Sequence, residues 1–126
     1  MKSYIAYAVG GFSGIALGWL ANVPTVVWSL IALMFLDVLM GLGAAFVTKT
    51  ISSDVSYRGM VRKSLTLILV AATGILQQTW QTEVPLVSLV AGALCAKELI
   101  SIIENAIRAG IPIPQPLVDA IEKLKK

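Results

Sequence analysis

Residues 24–47 read PTVVWSLIALMFLDVLMGLGAAFV, an apolar run interrupted by a single charge, Asp37. As a helix it is ~35 Å long at 1.5 Å per residue, enough to cross the ~30 Å hydrocarbon core of a bilayer. Pro24 suits the first helical position, because the N–H it lacks is one that the first turn leaves unpaired in any case. This stretch places the chain in lipid, and the rest falls into register around it. On its N-terminal side, Asn22-Val23-Pro24 is a tight break after an apolar run from Tyr4 to Ala21 that is just long enough to span. Lys2 followed by apolar residues imitates a secretory signal. Cleavage after Ala21 would put bulky Trp19 where a small residue is required, so the run reads as an uncleaved first helix.

On its C-terminal side, Thr48 to Arg58 is a polar connection, with Ser52-Ser53-Asp54 and Gly59 supplying turn chemistry. A third run extends from Met60 to Trp80, and Gln81-Thr82-Glu83 forms a short turn. The fourth run begins at Pro85. Leu86–Ala96 carries no charge but covers only ~16 Å, so a crossing must continue through Lys97 and Glu98 into Leu99–Ile103. A re-entrant or interfacial helix is the alternative. Gly110-Ile-Pro112-Ile-Pro114-Gln-Pro116 then ends helical structure. After it, Leu117, Val118, Ile121 and Leu124 line one face of a short basic helix, with four-residue pairs Asp119/Lys123 and Glu122/Lys126 on the other. Such a helix docks on the membrane surface or on a neighbouring subunit. The expected fold is all-α: an integral membrane protein with four, alternatively three, transmembrane helices in residues 1–109. A cytoplasmic Pro-rich turn and short amphipathic helix fill residues 110–126.

Composition agrees. Of 126 residues, 57% are hydrophobic and 13% charged, and the mean hydropathy is +0.84. Soluble domains carry roughly 45–50% apolar and about 25% charged residues. The net charge of +3 is concentrated around one connection (Lys49, Arg58, Arg62, Lys63) and at the end (Lys123, Lys125, Lys126). That pattern is a topology and anionic-headgroup signal rather than a nucleic-acid face. The turns at Asn22 and Glu83 hold no Lys or Arg, so the positive-inside rule puts both termini and the Thr48–Lys63 connection in the cytoplasm. Cys95 is the single cysteine and there is no histidine, which removes an internal disulfide and the commonest metal ligand and base. No phosphate loop, metal cluster or nucleophile–base pair is present, so the chain reads as a non-enzyme with no cofactor.

Four constellations stand out inside the apolar runs. Gly10, Gly14 and Gly18 fall on one face of the first helix and permit close helix approach. Thr66, Thr73, Gly74 and Gln77, extended by Gln81, form a polar and small stripe that packs on a neighbouring helix or borders water. Asp37 and Lys97 lie ~20 and ~18 Å along helices that run inward from Pro24 and Pro85. A lone charge at mid-membrane costs at least ~2.5–3.5 kcal/mol, so the two are expected to pair, within or between subunits. Lys97, Ser101, Glu104 and Arg108, with Glu98 and Asn105 beside them, give the last membrane helix a polar face.

Several of these residues carry a resemblance. Asp37-Val-Leu-Met-Gly41, Lys49, Ile51-Ser52-Ser53 and Gly59 with Lys63 come first. The most specific block follows: Lys97-Glu98-Leu-Ile-Ser101-Ile-Ile-Glu104-Asn105, then Gly110-Ile-Pro112-Ile-Pro114 and the basic helix. From Leu36 onward the chain resembles the phage holins of the toxin-secretion and phage-lysis group. Lys97 departs from that pattern, where a neutral polar residue is expected. The resemblance implies a homo-oligomer in the bacterial cytoplasmic membrane that opens lesions late in phage infection. Endolysin or toxin leaves through them without needing to touch the protein. A small selective channel or transporter, and a non-conducting membrane scaffold, are the competing readings.

Overall fold

The computed structural model describes the backbone of residues 1–126 and all side chains except those of Ile15, Ala16, Gly18, Trp19 and Leu20. The helices are α1 (Lys2–Ala21), α2 (Thr25–Val47), α3 (Ser53–Trp80), α4 (Leu86–Arg108) and α5 (Gln115–Lys125). Their limits follow from local chemistry. Pro24, Pro85 and Pro114 precede α2, α4 and α5, where a missing N–H costs nothing. At the end of α2, Lys49 adopts φ 55°. Its N–H donates to Phe46 O at 3.3 Å, and that of Thr50 donates to Ala45 O at 2.9 Å. These bonds satisfy carbonyls the helix leaves open, and the lysine's charge complements the negative end of the helix dipole. At the end of α4 the same hydrogen-bond pattern uses Gly110 at φ +87°, a conformation that suits a residue without Cβ. Pro112 then prevents continuation.

The third helix begins earlier than the polarity of Thr48–Arg58 implies. Ser52 caps it, its Oγ accepting from Val55 N–H at 3.4 Å. Asp54 stands in the first turn, and Arg58 reaches back to it at 3.3 Å. A cap, an acid at the positive end of the dipole and a four-residue ion pair together fold this segment as helix. Gly59 accordingly lies inside α3 rather than in a turn.

Three helices among the described residues, α2, α3 and α4, are long and apolar enough to cross a membrane. The first helix contains the five undescribed side chains. All its other side chains are exposed, and the space around Gly10 and Gly14 is open. Gly18 lies outside the described residues. The last membrane helix runs unbroken through Lys97 and Glu98.

Packing is uneven. The fourth helix is central: α2 lies along it in parallel, while α3 rests on it antiparallel and less extensively. The core consists of Val27, Leu30 and Met34 from α2, Val87 and Ala91 from α4, and Val70 from α3. Val70 is the one buried side chain of α3. Large apolar side chains such as Phe35, Phe46, Ile68 and Trp80 remain exposed. A globular protein of this mass exposes roughly 6,500 Å², whereas this chain exposes 9357 Å². Lipid or further copies of the chain must cover the difference.

The short last helix folds back onto its own chain. Ile121 is buried, and Lys125 Nζ meets Glu104 Oε1 at 2.7 Å. Asp119 accepts from Gln115 Nε2 at 2.9 Å instead of pairing with Lys123. Leu117 and Leu124, on the same apolar face as Ile121, stay exposed.

Leu30 is fully buried and Phe35 is 63% exposed. Leu30→Ala should therefore cost about 2–3 kcal/mol through lost packing, and Phe35→Ala less than about 0.5 kcal/mol. Denaturant titration of the detergent-solubilised protein measures both.

Candidate functional site

One charged residue on each of α2, α3 and α4 lies ten residues from the same end of the bundle: Asp37 before Val47, Lys63 after Ser53, and Glu98 before Arg108. Ten residues of helix are ~15 Å, so the three share a level. Packing turns them toward one another. Lys63 Nζ donates to Asp37 Oδ2 at 2.8 Å and to Glu98 Oε2 at 2.5 Å. Ser101 Oγ donates to Asp37 Oδ2 at 3.0 Å, and Asn105 Nδ2 to Asp37 Oδ1 at 3.0 Å. The two carboxylates are 7% and 4% exposed. Among the described residues, no buried side-chain polar atom lacks a partner.

Local sequence explains the arrangement. The buried residues Val87, Ala91, Glu98 and Ala106 mark the inner face of α4, and Ser101 and Asn105 recur on it at three- and four-residue steps. On α2, Gly41 stands one turn from Asp37. A Cβ there would stand 3.4 Å from Asn105 Nδ2, an ordinary van der Waals contact, so the Asn105 amide packs directly over Gly41. Arg108 closes this edge by donating to Gly41 O at 3.2 Å.

Within the chain, the cation that Asp37 receives is Lys63, not Lys97. Depth along the helix matches Asp37 with both, but adjacent residues of a helix point ~100° apart. With Glu98 turned inward, Lys97 is exposed. The polar face of the last membrane helix divides in the same way: Glu98, Ser101 and Asn105 turn to the cluster, while Glu104 turns to Lys125.

The polar stripe of α3 faces inward. Thr66, Thr73, Gly74 and Gln77 are all half-buried, and Lys63 continues the same face one turn earlier. The hydroxyls do not reach across to α4. Thr66 Oγ1 donates to Arg62 O and Thr73 Oγ1 to Leu69 O, both at 2.9 Å within α3. Gln77 does cross, its Oε1 accepting from Val87 N–H at 2.8 Å and so satisfying a free N–H in the first turn of α4. Gln81 ends the helix at φ 46° and does not extend the stripe. Lys63 had a signal in the sequence: three- and four-residue steps join it to Thr66, Val70, Thr73 and Gln77. Its place beside Arg62 made it read as a headgroup lysine instead.

Two carboxylates, one ammonium and two neutral donors make no catalytic set. They form a polar tie across three apolar helices. With no hydrophobic force between helices in lipid, such a tie specifies which faces meet. Cys95 stands one turn from Glu98 with Sγ 3.7 Å from Val26 O, half-buried against the apolar core.

The sequence model of the bacteriophage holin family matches residues 6–126. An uncharacterized protein of Halalkalibacterium halodurans is 38% identical, over 76% of this chain and 75% of its own. An uncharacterized 14.9 kDa protein of Clostridium perfringens is 31% identical over 76% of this chain and 74% of its own. An uncharacterized protein of Listeria monocytogenes is 29% identical over 96% of this chain and 86% of its own. No solved structure matches.

Lys63→Met strands two buried carboxylates and should cost about 3–5 kcal/mol, as breaking one side of a buried ion pair does. Lys97→Met should change stability by less than about 0.5 kcal/mol. In double-mutant cycles with Asp37→Asn, coupling is expected for Lys63 and not for Lys97. Equal coupling would restore the Lys97 pairing.

Proposed function

We propose that this chain, which belongs to the bacteriophage holin family, assembles with copies of itself in the bacterial cytoplasmic membrane. There it opens lesions that release a cell-wall hydrolase or toxin and lead to lysis. The observation that carries this reading is the family match over residues 6–126, joined to three apolar helices of spanning length. Two further features fit it. Most large apolar side chains are uncovered in the single chain, as expected of a subunit that trades lipid contacts for contacts with its own copies. The ion cluster of Asp37, Lys63 and Glu98 and the Thr66–Gln77 stripe lie on inner faces, where they do not obstruct insertion yet remain available to water if the helices part.

The proposed topology has α1 as a fourth crossing, with both termini and the α2–α3 connection in the cytoplasm. The Lys and Arg residues near Lys49–Lys63 and at Lys123–Lys126 then lie on the leaflet whose anionic headgroups attract them. The released enzyme need not touch the holin.

The test is expression in a bacterium that also carries a cytoplasmic endolysin, with culture turbidity followed and a membrane-energy poison added at intervals. Abrupt lysis, advanced by the poison and dependent on the endolysin, is the expected result. Continued growth with a normal membrane potential would favour a scaffold, and graded ion-specific leakage a channel; either would overturn the lysis reading.

A further inference from the structure

The three membrane helices of the ion cluster are not held equally. The second and fourth share the extensive interface and carry the buried side chains Val27, Leu30, Met34 and Ala44 on one side and Val87, Ala91 and Ala106 on the other. The third contributes Val70 alone. Near the Asn22 and Gln77 end, an apolar groove of about 530 Å³ separates α2 from α3, with Pro24, Val27, Ala71 and Gly74 in its walls. What ties α3 to the pair is the Lys63 ammonium, the bond from Val87 N–H to Gln77 Oε1, and the burial of Val70.

Resting on the lysis reading above, we propose that α3 is the helix that leaves the bundle when the lesion opens. Its inner stripe, Lys63, Thr66, Thr73, Gly74 and Gln77, then faces water together with Asp37 and Glu98 of the remaining pair.

Departure breaks the bonds of the ion cluster and of Gln77 and few others. The Thr66 and Thr73 hydroxyls are bonded to carbonyls of α3 itself and move with it. Asp37 keeps Ser101 and Asn105, both on α4, so the α2·α4 pair remains tied without Lys63. Lys63, Asp37, Glu98, Gln77 and the Val87 N–H lose partners, and each is a group that water solvates well. Lipid could not replace those bonds, so α3 stays docked while the interior is dry and can leave once water enters. The opposite face of α3, with Leu65, Ile68, Leu69 and Ile75 exposed, stays in lipid throughout. A helix apolar on one side and polar on the other suits the wall of a water-filled opening.

Thiol accessibility tests this directly. Cys95→Ala provides the parent chain, in which Thr66→Cys and Thr73→Cys report on the stripe and Ile68→Cys on the lipid face. Intact cells expressing each variant are treated with a charged, membrane-impermeant thiol reagent before and after addition of an energy poison. A thiol in a dry apolar setting stays protonated and unreactive, whereas one in water supplies the reactive thiolate. The expected result is no labelling of any position before the poison, and labelling of the Thr66 and Thr73 positions but not the Ile68 position after it. Three outcomes overturn the proposal: lysis with the stripe still unlabelled, labelling of all three positions alike, or a stripe already labelled in resting cells. Failure of the parent chain to lyse cells marks failure of the lysis reading itself, and this inference falls with it.

Discussion

A single ammonium group sits between two carboxylates on two other helices, and the relative placement of α2, α3 and α4 depends on it. In water, apolar faces would drive these helices together. In lipid that drive is absent, and close packing and polar contacts must decide which faces meet. Lys63 contacts Asp37 and Glu98 at once, and its side chain bridges α3 to α2 where the backbones of the two make little contact. Ser101 and Asn105 supply Asp37 with the donors that one lysine cannot.

The cluster also explains how the fourth helix tolerates charge within a membrane segment. Lys97 and Glu98 follow an apolar stretch too short to span, yet α4 continues without a break to Arg108. Glu98 is paired internally with Lys63, which it shares with Asp37. Lys97 points outward, where its long stem can carry the charge along the apolar surface to the interface. Toward the Val47 and Arg108 end the bundle becomes amphipathic, with Asp54, Arg58 and Arg62 on α3 and Glu104 and Arg108 on α4. Toward the other end the three helices carry no charged side chain, only neutral polar ones such as Thr73, Gln77 and Gln78. The charged tie stands at the boundary between these halves.

Membership in the holin family gives these features a common context without requiring chemistry. On the lysis reading proposed above, a lesion-forming subunit needs helices stable enough to insert and accumulate, and contacts weak enough to rearrange. Under that proposal the firm α2·α4 interface and the lightly held α3 divide those requirements between different elements of one chain. The division has a physical basis. Apolar packing gains nothing from water, whereas the bonds that hold α3 can be exchanged for bonds to water.

The sequence alone determined the need for lipid, the apolar helices and most of their ends, the start of α3 excepted. An apolar excess that no core of 126 residues could bury required lipid. Pro24, Pro85 and the Gly110–Pro116 segment marked boundaries that the structure keeps to within a residue or so. The residues of the C-terminal block carried the family resemblance, and counting along each helix put Asp37 level with the Lys97-Glu98 turn of α4. Depth is a property of one helix, fixed by a constant rise per residue, so it can be read without knowing any neighbour. Pairing is not. Whether Asp37 met Lys97 or Lys63 depended on the rotation of α4 about its axis, set by the packing of Ala91 and Leu30, and on which helix approached from the third side. The same applies to α5, which found Glu104 on its own chain, whereas the helical start at Ser53–Gly59 is local, set by the Ser52 cap and the Asp54–Arg58 pair. The Asp37 and Glu104 pairings belong to the tertiary structure because each depends on two segments meeting, and the sequence of either one does not contain the orientation of the other.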